Sequence, residues 1–364
     1  MMNTSSVTPA SVAPVTSTTA EVPHHKPMSP NQRAWARFKR NRLGYVALWV
    51  FAVLLALSTV AELIANDRPF VARYKGEWFV PIINNPPERA VGGDFSTPTD
   101  WHDPFILDVF RQPGNLVVFT LIPHSAGSLN QFAAAPDPAP PSAENWLGTD
   151  ESGRDMLARL IYGFRISAWF GLALTLAGVA IGVFAGAVQG YFGGRIDLAA
   201  QRFIEIWNSV PELYLLIIFA SIFEPSILLL LVLLALFGWV SLSDYVRAEF
   251  LRNRGLEFVK AARALGLSNA QIIWRHVLPN SMTPVITFLP FRMSAAILAL
   301  TSLDFLGLGV PAPTPSLGDL LRQGKENLDA WWITAPTFVV LVLTLLLLTF
   351  IGDALRDAFD TRKS

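Results

Sequence analysis

Long runs of Leu, Ile, Val, Phe and Ala alternate along the chain with short polar stretches that carry Arg and Lys. A helix crosses a bilayer with about 20 mostly apolar residues. Six runs approach that length: residues 43–65, 166–188, 203–223, 226–242, 283–302 and 333–351. Glu224-Pro225 separates the third from the fourth, because proline lacks an amide and restrains the residue before it. The first run begins beyond residue 40 and lacks a small-residue cleavage pattern, so it reads as a retained anchor.

Basic residues sort these runs into an orientation. Arg33, Arg37, Lys39, Arg40 and Arg42 precede the first run, and Arg195 and Arg202 lie between the second and third. Arg247, Arg252, Arg254, Lys260, Arg263 and Arg275 fill the loop 244–280, and Arg356, Arg362 and Lys363 follow the last run. The positive-inside rule puts all of these on the cytoplasmic side, with both termini inside. The loops 66–165 and 304–332 then face outward.

Composition agrees with a membrane protein. The 364 residues are 52% hydrophobic and 15% charged, with zero formal net charge, so no global signal points to nucleic acid. The chain has no Cys, which excludes a disulfide framework and a thiolate metal site. His24 and His25 are adjacent but lie in a Ser-, Thr- and Pro-rich tail that reads as disordered, not as a metal site. No nucleophile–base pair stands out, so covalent catalysis has no support.

The expected organisation is a disordered tail over 1–31, a basic segment and first helix over 32–65, an outer insert and pre-helix segment over 66–165, a transmembrane domain over 166–357 and a short tail over 358–364. In the insert, "DRPFVARYKGEWFVPIINNPPERAVGGDF" interleaves aromatic and polar residues between Pro and Gly breaks, which predicts short strands or extended segments. "AAAPDPAPPSAENW" reads as a stiff, proline-rich stretch. Trp78, Phe79, Trp101, Phe105 and Phe110 point to packing or to contact with a partner.

"EFVKAARALGLSNAQIIWRHVLP", residues 257–279, is cationic and helical in pattern, and it lies between two apolar runs. Helical spacing groups Phe258, Ala261, Ala262 and Leu265 on one stripe, away from Lys260 and Arg263. Gly266 suits a left-handed stop, Ser268 and Gln271 a capping box, and Pro279 the end of a second helix whose apolar side is Ile272, Ile273 and Val277. Small residues at the bend allow close approach of another protein, and the cations favour an acidic or carbonyl-rich groove. A helix lying on anionic lipid fits the same residues.

"KAARALG" followed by "RHVLPN" resembles the "EAA" loop of permeases in binding-protein-dependent ABC importers. Lys260 stands where that pattern has Glu, and His276 where it has Ile; Glu257, almost one turn before Lys260, is a candidate substitute for the acidic contact. "NWLGTDESGRDMLARLIYGFRIS", "SLDFLGLGVPAPTPSLGDLL" and "IGDALRDAFDTR" resemble segments of the "C"-type dipeptide and oligopeptide permeases. "ELIANDRPF" and "GDFSTPTDWHDPFI" resemble the Yej-type branch, associated with oligopeptide and microcin C uptake.

The resemblance implies an all-α polytopic fold: six transmembrane helices of the type I importer (MetI-like) kind, with a small irregular, β-containing periplasmic insert between helices 1 and 2. It implies a permease subunit in the bacterial inner membrane that is not itself an enzyme and binds no cofactor. ATP and Mg would be held by a partner ATPase with two nucleotide-binding domains. The other implied partners are a second homologous permease, a periplasmic peptide-binding protein and a peptide substrate. Glu257, Lys260, Ala261, Ala262, Arg263, Gly266, His276 and Pro279 would form the ATPase-coupling loop.

"GDLLRQGKEN" mimics a phosphate-binding loop, but its glycine spacing is one too long and Glu326 replaces the Ser or Thr that would hold magnesium. The acids of "GTDESGRD" lack calcium-loop spacing; Asp150 and Asp155 suit a turn and a helix start. Within the spans, Glu205, Asn208 and Glu212 fall on one helical face, Pro211 can kink that helix, and Arg292 lies at a depth similar to Glu212. Glu212 and Arg292 are expected either to pair and hold the bundle or to line the solute path. Gly171, Gly178, Gly182 and Gly186 fit close helix approach. Two rival functions stand beside this one: a secondary transporter driven by an ion gradient through Glu205, Glu212 and Arg292, and a membrane scaffold whose outer lobe, residues 70–140, binds partners.

Overall fold

The computed structural model describes residues 29–129 and 136–360. The expected tail up to residue 28 lies outside the described residues, as do 130–135 and 361–364. Helix α1 (Pro30–Arg40) begins behind a Ser29–Gln32 capping box, so residues 30 and 31 belong to a helix and not to the tail. Asn41 has an extended backbone that breaks the helix, and its side-chain oxygen accepts the Gly44 amide to start α2 (Arg42–Thr59). The first span therefore ends at Thr59, before the expected residue 65. The Ser58 and Thr59 hydroxyls both donate to the Leu55 carbonyl, and a 3₁₀ turn at Ala61–Leu63 leads the chain into the outer insert.

The insert has a core of its own. Strands β1 (Val71–Tyr74) and β2 (Glu77–Phe79), helix α3 (Pro104–Phe110) and strand β3 (Leu116–Val118) build an antiparallel sheet of order β2-β1-β3 with one helix. Pairing of Ala72 with Phe79 and Val117 puts these three side chains on one face, where Trp101, Ile106, Val91 and Phe110 cover them. Of the five aromatic residues singled out above, Trp101 and Phe110 are buried and Phe79 packs on them, whereas Trp78 and Phe105 stay exposed. His102 and His124 stack with ring centroids 4.9 Å apart, forming the shared wall of two cavities of about 410 and 720 Å³.

Helix α4 (Met156–Phe192) carries the second span and exceeds it at both ends. The Asp155 carboxylate caps it through the Ala158 amide, and Asp150 organises the preceding turn by accepting the Ser152 and Arg154 amides. The small-residue face of α4 packs inside the bundle. Gly171 meets Ile297 and Met293, while Gly178, Gly182, Gly186 and Gly190 line up against the fourth span. A Cβ on Gly186 would fall 2.5 Å from the Ser243 carbonyl oxygen.

The third span is not one helix. Helices α5 (Gly194–Asn208) and α6 (Glu212–Ile222) meet at a 63° bend. Pro211 has no amide to continue the α5 ladder and becomes the cap of α6. The expected common face of Glu205, Asn208 and Glu212 is therefore broken: the first two end α5 and the third starts α6. The break at Glu224-Pro225 is present, and α7 (Ile227–Gly238) and α8 (Val240–Asn253) form the fourth span around a turn at Trp239.

Helix α9 (Glu257–Ala264) and helix α10 (Asn269–Ile272) make the expected elbow. A π turn at Ile273–Val277 then joins α10 to α11 (Leu278–Phe305). Pro279 does not stop the helix: the wide turn just before it absorbs the missing amide bond, and one helical rod runs from Asn269 to Phe305. "GDLLRQGKEN" is an ordinary helix, α12 (Leu317–Glu326), capped by Ser316. Helix α13 (Trp331–Phe359) is the last span. The largest core joins α2, α4, α11, α12 and α13 through Phe51, Phe164, Ile297, Leu317, Ile333 and Leu348. Among the described residues, five helices are long and apolar enough to cross a membrane, or six if the bent α5–α6 pair is one span.

Candidate functional site

The elbow is set into the bundle by a few side chains. Val259 and Ala262 are buried on the inner side of α9 and join Ala187 and Tyr191 of α4, Leu242, Val246 and Phe250 of α8, and Ile272, Val277 and Val285 of the rod. This corrects the expected stripe. Ala262 points inward, but its partner is Val259, while Phe258, Ala261 and Leu265 face outward. The α9 helix is apolar on two adjacent sides, and only the gap between α4 and α8 decides which side is buried.

Local chemistry sets the bend. Gly266 adopts φ +80°, a left-handed conformation that L side chains resist, and the Leu267 amide reaches back to the Ala262 carbonyl. Ser268 and Gln271 form the reciprocal capping box that the sequence predicts. Tyr191, at the end of α4, ties the bend down. Its hydroxyl donates to Asn269 Oδ1 at 2.8 Å, its carbonyl accepts Arg254 Nη1 at 3.3 Å, and the Arg263 guanidinium sits 6.0 Å from its ring centroid. Tyr191, Arg254, Arg263 and Asn269 line a cavity of about 400 Å³.

Glu257 and Lys260 form an exposed ion pair at 2.8 Å. An exposed pair of this kind contributes about 0–1 kcal/mol, so both groups remain available to another charged surface. His276 lies half-buried in the π turn, and its carbonyl accepts the Asn280 side-chain amide. Of the candidate coupling residues, Ala262 faces the core, His276 is intermediate, and Glu257, Lys260, Ala261, Arg263, Gly266 and Pro279 are exposed. Leu265, Trp274 and Phe258 add a protruding apolar face. Helix α10, the π turn and α11 are continuous, so the elbow and the fifth span share one helical rod.

The intramembrane polar groups are arranged differently from the expected pair. Among the described residues Glu212 and Arg292 form no ion pair. Both line one cavity of about 400 Å³, with Thr175, Ser241, Phe291 and Leu234 among its walls. Arg292 instead donates to the Ser241 hydroxyl at 2.9 Å and to the Gly238 carbonyl. That carbonyl ends α7, so the guanidinium caps the turn inside the fourth span. Glu205 pairs with its helical neighbour Arg202, and neither it nor Asn208 lines the cavity. Sequence reasoning missed Tyr191, Arg254, Gly238 and Ser241. A fourth repeat of the glycine spacing, Gly190, was open to view and marks the Tyr191 end of α4.

The family described as "Binding-protein-dependent transport system inner membrane component" matches residues 178–364. The N-terminal TM domain of oligopeptide transport permease C matches residues 29–87. The chain is 50% identical to the inner membrane ABC transporter permease protein YejE of Escherichia coli (strain K12), over 93% of this chain and 99% of that one. It is 48% identical to the peptidoglycan transport system permease protein YejE of Agrobacterium fabrum (strain C58), over 92% of this chain and 93% of that one. Identity to the dipeptide transport system permease protein DppC of Lactococcus lactis subsp. cremoris (strain MG1363) is 32%, covering 92% of this chain and 91% of its relative. A solved inward-facing MetNI methionine ABC transporter aligns at 19% identity and a TM-score of 0.46, over 56% of this chain and 97% of that one. With relatives of such identity across nearly its whole length, the chain belongs to the family of binding-protein-dependent transport system inner membrane components.

Proposed function

We propose that this chain is the membrane-spanning permease of an ATP-driven importer of peptides, with oligopeptides and microcin C-like peptides as cargo. It shares the path with a second, homologous permease, receives substrate from a periplasmic binding protein and is driven by a separate cytoplasmic ATPase that holds ATP and Mg. The observation that carries this reading is the elbow. It is anchored in three spans through Val259, Ala262 and Ile272, yet it presents Phe258, Leu265, Trp274, Lys260 and Arg263 outward. A driver can shift a two-state equilibrium only through contacts that differ between the states, and this elbow is a surface on which such contacts act.

The relatives named for peptidoglycan and dipeptide transport support a peptide cargo. The cavity shared by Glu212 and Arg292 is a candidate stretch of the path. Both termini face the cytoplasm, in accord with the distribution of Arg and Lys. The test is recovery of the assembled complex on a tag at this chain, together with cross-linking from positions 258 and 265 in intact cells. An ATPase captured at those positions, and peptide uptake that stops on ATP depletion, are expected. Uptake that survives ATP depletion and collapses with an uncoupler would make the chain an ion-driven carrier.

A further inference from the structure

Helix α1 carries Arg33, Arg37, Lys39 and Arg40 and no acid. Its other face is turned to the bundle: Phe38 is buried against Ala354 and Ala358 of α13, Ala34 is buried one turn earlier, and Arg37 Nη1 donates to the Asp360 carbonyl at 3.0 Å. Those α13 residues belong to its charged last turns, beyond the apolar stretch that ends near Ile351. On the other side α1 leads through Asn41 straight into the first span, which starts at Arg42. Two neighbours thus hold α1 at the depth where hydrocarbon gives way to headgroups.

At that depth its free face has a specific chemistry. Arg33, Lys39 and Arg40 are exposed, and among the described residues none of them is in an ion pair, although α13 brings Asp353, Asp357 and Asp360 to the same end of the bundle. Trp35 is exposed beside them, stacked on Phe38, with the Lys39 ammonium 5.3 Å from its ring centroid. Tryptophan and cations side by side suit the boundary between acyl chains and anionic headgroups. Two simpler needs account for part of this charge: cations favour a helix C-terminus, and they set topology during insertion. Neither calls for an exposed Trp next to Lys39, nor for a helix docked so that Arg33, Lys39 and Arg40 all stay exposed while only Arg37 turns back to the protein.

We propose that α1 is a binding element for anionic phospholipid headgroups, with Arg33, Lys39 and Arg40 holding the phosphates and Trp35 seated at the acyl boundary. The chain has no cysteine, so Ala36→Cys offers a unique, exposed attachment point for a dye on α1. The dyed full-length chain is placed in nanodiscs containing equal amounts of phosphatidylglycerol and phosphatidylcholine, one of the two head-labelled as energy-transfer acceptor in turn. Transfer to phosphatidylglycerol should exceed transfer to phosphatidylcholine. Arg33→Gln/Lys39→Gln/Arg40→Gln should remove most of that excess and bring the two transfers close to equal. That triple change leaves Ala34, Arg37 and Phe38 in place. If it fails to insert, raising the salt over the unaltered chain serves instead, because screening must erode the preference. Equal transfer to both lipids, or a preference untouched by the triple change or by salt, would overturn the proposal.

Discussion

The division of α9 into a buried and a presented side can be tested at two residues. Val259 is 0% exposed and Leu265 is 80% exposed, six positions apart on the same elbow. Val259→Ala removes two buried carbons, about 1.6 kcal/mol of transfer free energy at about 0.8 kcal/mol each, and the residual cavity raises the cost to about 2–3 kcal/mol. Leu265→Ser removes a side chain that touches little within the chain, so stability should change by no more than about 0.5 kcal/mol. Against a docked ATPase the same leucine has most of its surface still to bury. Full burial of Leu is worth about 1.5–3 kcal/mol, so four-fifths of it is about 1.2–2.4 kcal/mol, or roughly 8- to 60-fold in association. The assays are thermal unfolding of the purified chain and titration of the ATPase onto it in nanodiscs. Leu265→Ser should leave the unfolding midpoint in place and weaken the ATPase by that factor, while Val259→Ala should lower the midpoint. The reasoning fails if Leu265→Ser binds the ATPase as the parent does, or if it unfolds as early as Val259→Ala.

Arg292→Met removes the donor to the Gly238 carbonyl and the Ser241 hydroxyl; peptide uptake should fall about ten-fold or more, and normal uptake by normally assembled complex would remove Arg292 from the path. Asp150 is fully buried between the Arg154 and Arg159 guanidiniums, at 2.8 and 3.2 Å. Asp150→Asn leaves both cations without that charge and should cost about 3–5 kcal/mol, read as a lower unfolding midpoint and faster proteolysis from the outer side. Burial, and then the neighbouring His102, lower the His124 pKa below 6.5, with Asp155, Glu144 and Asp67 opposing in part. The unfolded chain therefore takes up this proton first: the contribution of His124 to stability is complete above about pH 6.5 and declines as the pH falls below it. His124→Gln should flatten the difference in lobe hydrogen exchange between pH 7.5 and 5.5, about one unit either side of that value, and an unchanged slope would show that other groups set it.

Features governed by near neighbours in sequence were legible. The Ser268–Gln271 capping box, the left-handed Gly266, the Asp155 cap and the glycine face of α4 each depend on residues a turn or less apart. The aromatic, turn-rich insert does hold short strands, and Trp101 is the centre of its core. What eluded sequence depends on distant partners. Pro279 reads as a helix stop until a π turn is seen to make room for it, and the inward stripe of α9 is chosen by α4 and α8. Glu212 and Arg292 suggest a pair by charge and depth, but the turn at Trp239 gives the guanidinium a carbonyl to cap. The candidate residues of the elbow were found by pattern, and their fastening through Tyr191 was not, because one tyrosine at the end of an apolar run carries no signal of its own.

The bend between α5 and α6 has a cost for a chain left alone in lipid. Helix α6 opens at Pro211 with no side-chain cap, so the amides of Glu212 and Leu213 have no acceptor within the helix, and the Pro211 carbonyl serves only the Tyr214 and Leu215 amides. Hydrocarbon offers them none. Ile206 and Tyr214 stand exposed on the two sides of the bend, and Ile218 and Ile222 stand exposed farther along α6. An orphaned copy would have to draw water into the membrane there or find protein to close the gap. Cells that make this chain in excess of its companions should therefore degrade the surplus, and its abundance should follow theirs.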